Sequence, residues 1–249
     1  MTTYTMTVSP DFLPEEIAEW YIFNTWLQRK LDLNIHLELF DSFDDQRKAI
    51  AEDKIDLIYA NPFDASMLVR EKGFTAVAKP MDKGDEALIA VSAESTAEDV
   101  TDLEPEIEVA KTDDPDVNMI GMIMLEPADL NAENTSSKVM DTYPTVARQV
   151  ITGQSQAGFF LAEAYDSFSS LVQSKLKVLV RSQIYVISHA FMVGPRAQEH
   201  AQAIQGALLE MADDPRTKDV LAGMGFSGWM EQSYEDTEFM IDLMDTLVD

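Results

Sequence analysis

Apolar and polar residues alternate over positions 3–8 and stop at Ser9-Pro10, which predicts a short strand running into a loop. Pro14 followed by Glu15 and Glu16 predicts a helix start, because Pro fits the first helical turn and acids fit its positive end. Ile17, Trp20, Phe23, Leu27 and Leu31 then recur at helical spacing, and core packing is the expected role of those aromatics. Ile35 to Phe40 is a second strand, and Asp41-Ser42 caps a helix that runs to about Asp53. Ile55 to Ala60 is a third strand, apolar on both faces. Pro62 to Lys72 is a helix closed by Gly73, and Thr75 to Lys79 is a fourth strand. Strand and helix alternate throughout, which predicts a mostly parallel sheet covered on both sides.

Ala87 to Ala93 is another apolar strand, and the acidic, Thr-rich stretch 94–108 reads as a loop. A second alternating block follows: strand Ile107–Lys111, helix Val117–Leu125, helix Pro144–Thr152 ended by Gly153, strand Ala157–Leu161, helix Glu163–Lys175 and strand Lys177–Arg181. His189 to Val193 is apolar and ends at Gly194-Pro195, and a long amphipathic helix is expected from there to about Ala212. A short helix to Met224 and a last one from about Tyr234 close the chain. The middle block reads as an insertion. Residues 1–86 with 194–249 would form one lobe and 94–184 the other, with strands at 87–93 and 185–193 crossing between them as a hinge.

Composition narrows the function. The chain has 249 residues, with 45 acidic against 18 basic and a net charge of −27. Nucleic acids and anionic membrane surfaces are disfavoured partners, since both need a basic face. Charges beyond about 8 Å are screened at physiological salt, so an anionic ligand is not excluded and the groups around it decide. There is no cysteine, which removes disulfides and thiolate chemistry. The three histidines, His36, His189 and His200, form no metal-ligating spacing, so neither metal nor cofactor is expected. No apolar run approaches the roughly 20 residues that span a bilayer, so membrane insertion is not expected. The first eight residues carry no basic segment and no long apolar stretch. The periplasm is therefore expected if a leader has been trimmed, and the cytoplasm otherwise.

Several segments, in order and at consistent spacing, resemble the phosphate/phosphite/phosphonate substrate-binding proteins of ABC importers. They are Asp56-Leu57-Ile58-Tyr59-Ala60-Asn61-Pro62, Val150-Ile151-Thr152-Gly153-Gln154-Ser155-Gln156-Ala157-Gly158-Phe159, Arg181-Ser182 through Ser188-His189-Ala190-Phe191-Met192-Val193, Leu208 to Pro215, and Met224-Gly225-Phe226. The resemblance implies an α/β type II periplasmic-binding fold: two Rossmann-like lobes joined by two crossing strands, with a small solute gripped in the cleft between them. It also implies a monomer that delivers its solute to an ABC permease.

The resemblance implies site residues as well. Asn61, Pro62 and Phe63 stand at the turn after the third strand, and Phe43 matches an aromatic after the second. Asp85 matches a Tyr near the outgoing hinge, and Tyr143 matches a His. Glu163 matches an acid that grips a ligand amine in some members, and a second such acid is His189 here. Where the family carries a Ser-Thr-Ser-Gly-like run that holds phosphonate oxygens, this chain has Asp114-Pro115-Asp116-Val117-Asn118. That change sets the expectation for Asp116 and Asn118. One unpaired carboxylate about 5 Å from a phosphonate costs roughly 3 kcal/mol at an effective dielectric of about 20, on the order of a hundredfold in affinity. A neutral, zwitterionic or cationic ligand is therefore expected, with Arg148 and Arg181 as the basic residues able to offset the acids. The alternative for Asp116 is helix capping, and for the aromatics core packing. Two rival functions remain on the same fold: a cytoplasmic enzyme, for which Glu163 with His189 is the one acid–base couple, and a ligand-sensing module. No GxSxG or other nucleophile–base pattern accompanies that couple.

Overall fold

The computed structural model describes residues 2–12 and 16–248, with 247 and 248 described in backbone only. The expected helix start at Pro14 and Glu15 lies outside the described residues. The chain divides into two compact units, Met1–Lys83 with Ser188–Met244, and Gly84–Ile187 with Asp245–Asp249.

The first unit is built on strands β1 (Thr3–Val8), β2 (Asn34–Leu37), β3 (Leu57–Ala60) and β4 (Thr75–Pro80), joined by β10 (Ala190–Val193) and β11 (Trp229–Glu231) from late in the chain. Their order is β11-β4-β10-β3-β1-β2. β1 runs parallel to β2 and β3, and β10 inserts antiparallel between β3 and β4. Helices α1 (Ile17–Leu31), α2 (Phe43–Ala51), α7 (Ala201–Leu209) and α8 (Lys218–Gly223) accompany this sheet. The face of α1 read from helical spacing does enter the core. Trp20, Phe23 and Leu27 are buried with Met6, Tyr59, Phe191, Phe226 and Trp229, and Trp20 lies 4.9 Å from the Tyr59 ring. Asp56, which opens the third-strand motif, is a structural clamp. Its carboxylate takes the Thr5 N–H at 2.7 Å and the Arg196 Nε–H at 2.6 Å, tying β1 to the segment after β10.

The second unit has five strands in the order β7-β6-β8-β5-β9: β5 (Ala87–Ser92), β6 (Glu108–Lys111), β7 (Ser136–Val139), β8 (Ala157–Leu161) and β9 (Leu176–Arg181). β6 is parallel to β7 and β8, while β5 lies antiparallel between β8 and β9. Helices α3 (Pro115–Leu125), α4 (Tyr143–Ile151), α5 (Ala162–Asp166) and α6 (Ser170–Gln173) belong to it. Gly153 ends α4 at φ +68°, the left-handed turn its sequence position predicts. Gln156 Oε1 accepts the Glu108 N–H at 2.9 Å and fastens the residue before β8 to the start of β6.

Several elements differ from the sequence expectation. The segments expected to cross between halves each lie in one sheet. β5 pairs only with β8 and β9, and within 185–193 only Ala190–Val193 is strand, inside the first sheet. Tyr185 has φ +60°, which breaks the extended run before it. The expected helix 62–72 is continuous to Glu71 but irregular, opening as a 3-10 turn at Pro62–Asp64 and closing as one wide π turn at Met67–Glu71. The long helix to Ala212 is α7 flanked by 3-10 turns at Pro195–His200 and Glu210–Asp213. β7 and β11 were not foreseen. Ser136–Val139 is exposed throughout and carries no apolar alternation to read. β11 is three residues long.

Candidate functional site

In open α/β sheets ligands gather beyond the carboxyl ends of the parallel strands. In the first unit that end holds the loops after β1 and β3 and the start of α2. Antiparallel β10 adds its beginning, because Ala190 stands opposite Ala60. His189 is thereby placed beside Asn61 at one end of the sheet.

Asn61 is fully buried and its side chain is committed. Its Oδ1 accepts the Phe63 N–H at 2.9 Å, and its Nδ2 donates to Asp11 Oδ2 at 2.7 Å. His189 Nε2 lies 2.9 Å from the same Asp11 oxygen, and its ring stacks on Tyr59 with centroids 5.0 Å apart. Burial pushes the Asp11 carboxyl up, but the charge and hydrogen bond of His189 and the bond from Asn61 outweigh it and hold Asp11 below the usual carboxylate range. Pro62 is buried beneath the turn. Phe43 is buried at the first position of α2, while Phe63 is 39% exposed. The two rings share a cation: the Arg47 guanidinium carbon lies 5.2 Å from the Phe43 centroid and 5.4 Å from that of Phe63. Arg47 Nε donates to Asp64 Oδ1 at 2.7 Å. Burial raises the Asp64 carboxyl, the Arg47 bond and charge oppose the rise, and the neighbouring Asp11 charge adds to it.

In the second unit the same end of the sheet gathers acids around a phenol. Asp114 and Asp116 are buried where β6 leads into α3, and Tyr143 is buried at the first position of α4. The Tyr143 hydroxyl donates to Asp114 Oδ2 at 2.7 Å. Burial and then the Asp114 charge push the phenol well above its ordinary value. Asn118 Nδ2 donates to the Thr112 carbonyl at 3.0 Å, while its Oδ1 is enclosed without a partner among the described residues. Asp85 is buried and its N–H donates to the Ile187 carbonyl at 2.9 Å. Next to it, Glu86 receives the N–H groups of Ile184 and Tyr185, both at 2.7 Å, and the Ser182 hydroxyl.

The ten residues expected at a site therefore fall into two sets. Phe43, Asn61, Pro62, Phe63 and His189 gather at one end of the first sheet. Asp116, Asn118 and Tyr143 gather in the second unit, where Asp85 is a buried residue in the segment leading to β5. Glu163 is exposed on α5. His189 Nε2 is paired with Asp11. Neither expected offsetting arginine answers the buried acids: Arg148 is exposed on α4, and Arg181 is held by Asp166 at 2.6 Å. Sequence reasoning missed Asp11, Arg47, Asp64 and Asp114. Arg47 had a readable signal, one helical turn after Phe43 on the same face. Asp11 had none, since its partner is 178 residues away. A groove of about 670 Å³ elsewhere on the first unit, lined by residues that include Tyr21, Trp26, Arg29 and Arg216, shares none of these side chains.

Two α/β units on mixed sheets of this order define the class of type II periplasmic binding proteins, and solved structures carry the same fold. PhnD1 from Prochlorococcus marinus (MIT 9301), solved in complex with methylphosphonate, superposes with a TM-score of 0.84 at 10% identity, over 99% of this chain and 98% of that one. A binding protein component of an ABC phosphonate transporter from Pseudomonas aeruginosa gives 0.76 at 12% identity, over 99% and 87%. The periplasmic aliphatic sulphonate binding protein SsuA from Escherichia coli gives 0.70 at 15% identity, over 99% and 86%. No curated protein sequence matches the chain. The chain belongs to the family described as ABC transporter, phosphonate, periplasmic substrate-binding protein, which it matches over residues 6–237. The family consists of periplasmic substrate-binding components rather than enzymes, and solute binding is the role of the fold. Among the described residues no helix is long and apolar enough to cross a membrane.

Proposed function

We propose that this chain captures a neutral, zwitterionic or cationic solute, and not a simple alkylphosphonate, and passes it unconverted to an ABC permease. It acts as a monomer, and outside the cytoplasm, in keeping with its family's description as periplasmic. The observation that carries this reading is the buried Asp114–Asp116–Tyr143 set; the sequence resemblance matches its 114–118 segment to the family's hydroxyl-bearing run. A hydrogen bond from a phenol favours the charged form of a carboxylate, and a charged carboxylate repels an oxyanion and attracts an ammonium group.

In the first unit the candidate solute contacts are His189, Phe63 and Phe43; in the second unit, taken by itself, they are Asp116, Asn118 and Tyr143. Asn61, Pro62 and Asp85 hold the backbone around them, and Glu163 stands at the exposed margin. Native mass spectrometry of the purified protein, followed by a thermal-shift screen of matched anions, zwitterions and cations, tests the reading. A solute at about a hundred times its dissociation constant adds about 2.7 kcal/mol of stability. Recovery of a positively charged or zwitterionic solute is expected. A chemically altered product accumulating with time would instead indicate an enzyme.

A further inference from the structure

Arg47 is the best-placed cation of the first-unit cluster, and solute capture as drawn so far gives it no role. Its Nε is used by Asp64, which fixes the guanidinium from one side. The Phe43 and Phe63 rings, at 5.2 and 5.4 Å, fix it further. The edge formed by the two terminal nitrogens is left over. Nη2 is shielded from water and has no hydrogen-bond partner among the described residues, and about a third of the side chain, 32%, remains exposed. That edge is the geometry with which arginine forks onto a carboxylate, phosphonate or sulfonate. A second polar group at the same end of the sheet is also unanswered: the Ser188 hydroxyl, beside His189, is buried without a partner among the described residues. Asp64 neutralises the arginine only from the Nε side. Its second oxygen is likewise buried and unbonded, so the pair is side-on and single, not a closed bidentate bridge.

We infer that Arg47 holds an oxyanion of the solute, so that the solute carries a carboxylate, phosphonate or sulfonate in addition to a positive group. The inference rests on solute capture as proposed above and narrows its ligand to a zwitterion. Anion recognition then belongs to an arginine of the first unit instead of hydroxyls of the second. Phe63, the exposed ring of the sandwich, covers the guanidinium and would shift when the oxyanion docks.

The test compares three small probes on the full chain by calorimetry: aminomethylphosphonate, glycine and methylammonium. The first two carry both charges, and the third lacks the oxyanion. Wild type is expected to bind at least one zwitterion about tenfold or more tighter than methylammonium. Arg47→Lys keeps the charge beside Asp64 but loses the fork. The double variant Arg47→Met with Asp64→Asn removes both charges together and so avoids an orphaned buried carboxylate. Both are expected to lose most of the preference for the zwitterion while methylammonium binding stays within about threefold. Zwitterion binding unchanged in both variants would overturn the assignment. Wild type binding methylammonium as tightly as the zwitterions would overturn it too, and would leave solute capture standing. Wild type binding none of the probes would count against both readings.

Discussion

The two strand-end clusters are built alike and charged differently. Each uses the turn after a parallel strand and the start of a helix to bring buried polar groups together. In the first cluster both acids have nitrogen partners: Asp11 has His189 and Asn61, and Asp64 has Arg47. In the second the described donor to Asp114 is a phenol. The first arrangement is an electrostatically balanced network, in which one group is held down and another pushed up. The second places two buried acids, Asp114 and Asp116, beside a buried phenol. Removing one partner from the balanced set should be costly, because a buried charge is left behind, whereas the acidic set should respond chiefly in what it binds.

Arg47→Ala is the sharpest break of the comparison. It leaves Asp64 buried without its cation, and a loss of about 3 kcal/mol in urea unfolding is expected. The Arg47→Met, Asp64→Asn double variant should recover most of it. If the single variant matches wild type, the first cluster is not the balanced network described. Asn61→Ala comes next. It strips a donor from Asp11 and an acceptor from the Phe63 N–H, so about 2 kcal/mol should be lost, read as a lower denaturant midpoint at unchanged slope.

Tyr143→Phe should cost about 1 kcal/mol at neutral pH, by leaving Asp114 without the phenol. Its pH dependence carries more information. The Tyr143 phenol is held above its unfolded value of 10.0, so its stabilising contribution is complete below pH 10 and is lost as pH rises toward the folded value. Wild type should therefore lose stability relative to the Phe variant above pH 10, and parallel curves would show that the phenol is not buried as described. No such simple limb is expected for the first cluster in acid. Asp11 is lowered and Asp64 raised from the same 3.8, so their contributions run in opposite directions. The smallest effect is expected for Glu163→Gln: Glu163 is exposed, and its removal should change stability by less than about 0.5 kcal/mol.

Much of this architecture can be read from residue order. The apolar run before Asn61-Pro62 is β3, the helical stripe of α1 is the core face, and Gly73 and Gly153 both adopt the left-handed backbone their positions suggest. Local signals suffice where the deciding physics is local. They fail at β7 and β11, whose strand state comes from neighbours they pair with and not from their own pattern. They fail again at the site. Asn61 is recognisable as a turn residue, but only the fold shows that Asp11 and the Phe63 N–H consume its amide. Phe43 and Phe63 are recognisable as aromatics near a site, but the arginine between them becomes visible only when α2 packs against the turn after β3. Tyr143 and Asp114 are 29 residues apart, and a hydrogen bond at that separation leaves no periodic trace.

We propose above that the buried acids of the second unit take the place of the family's oxyanion seat. Calorimetric titration of the purified, solute-free protein with methylphosphonate and inorganic phosphite tests it most directly. Dissociation constants in the millimolar range or weaker are predicted, improving in Asp116→Asn. A sub-micromolar constant for either anion with the wild-type protein would contradict the account.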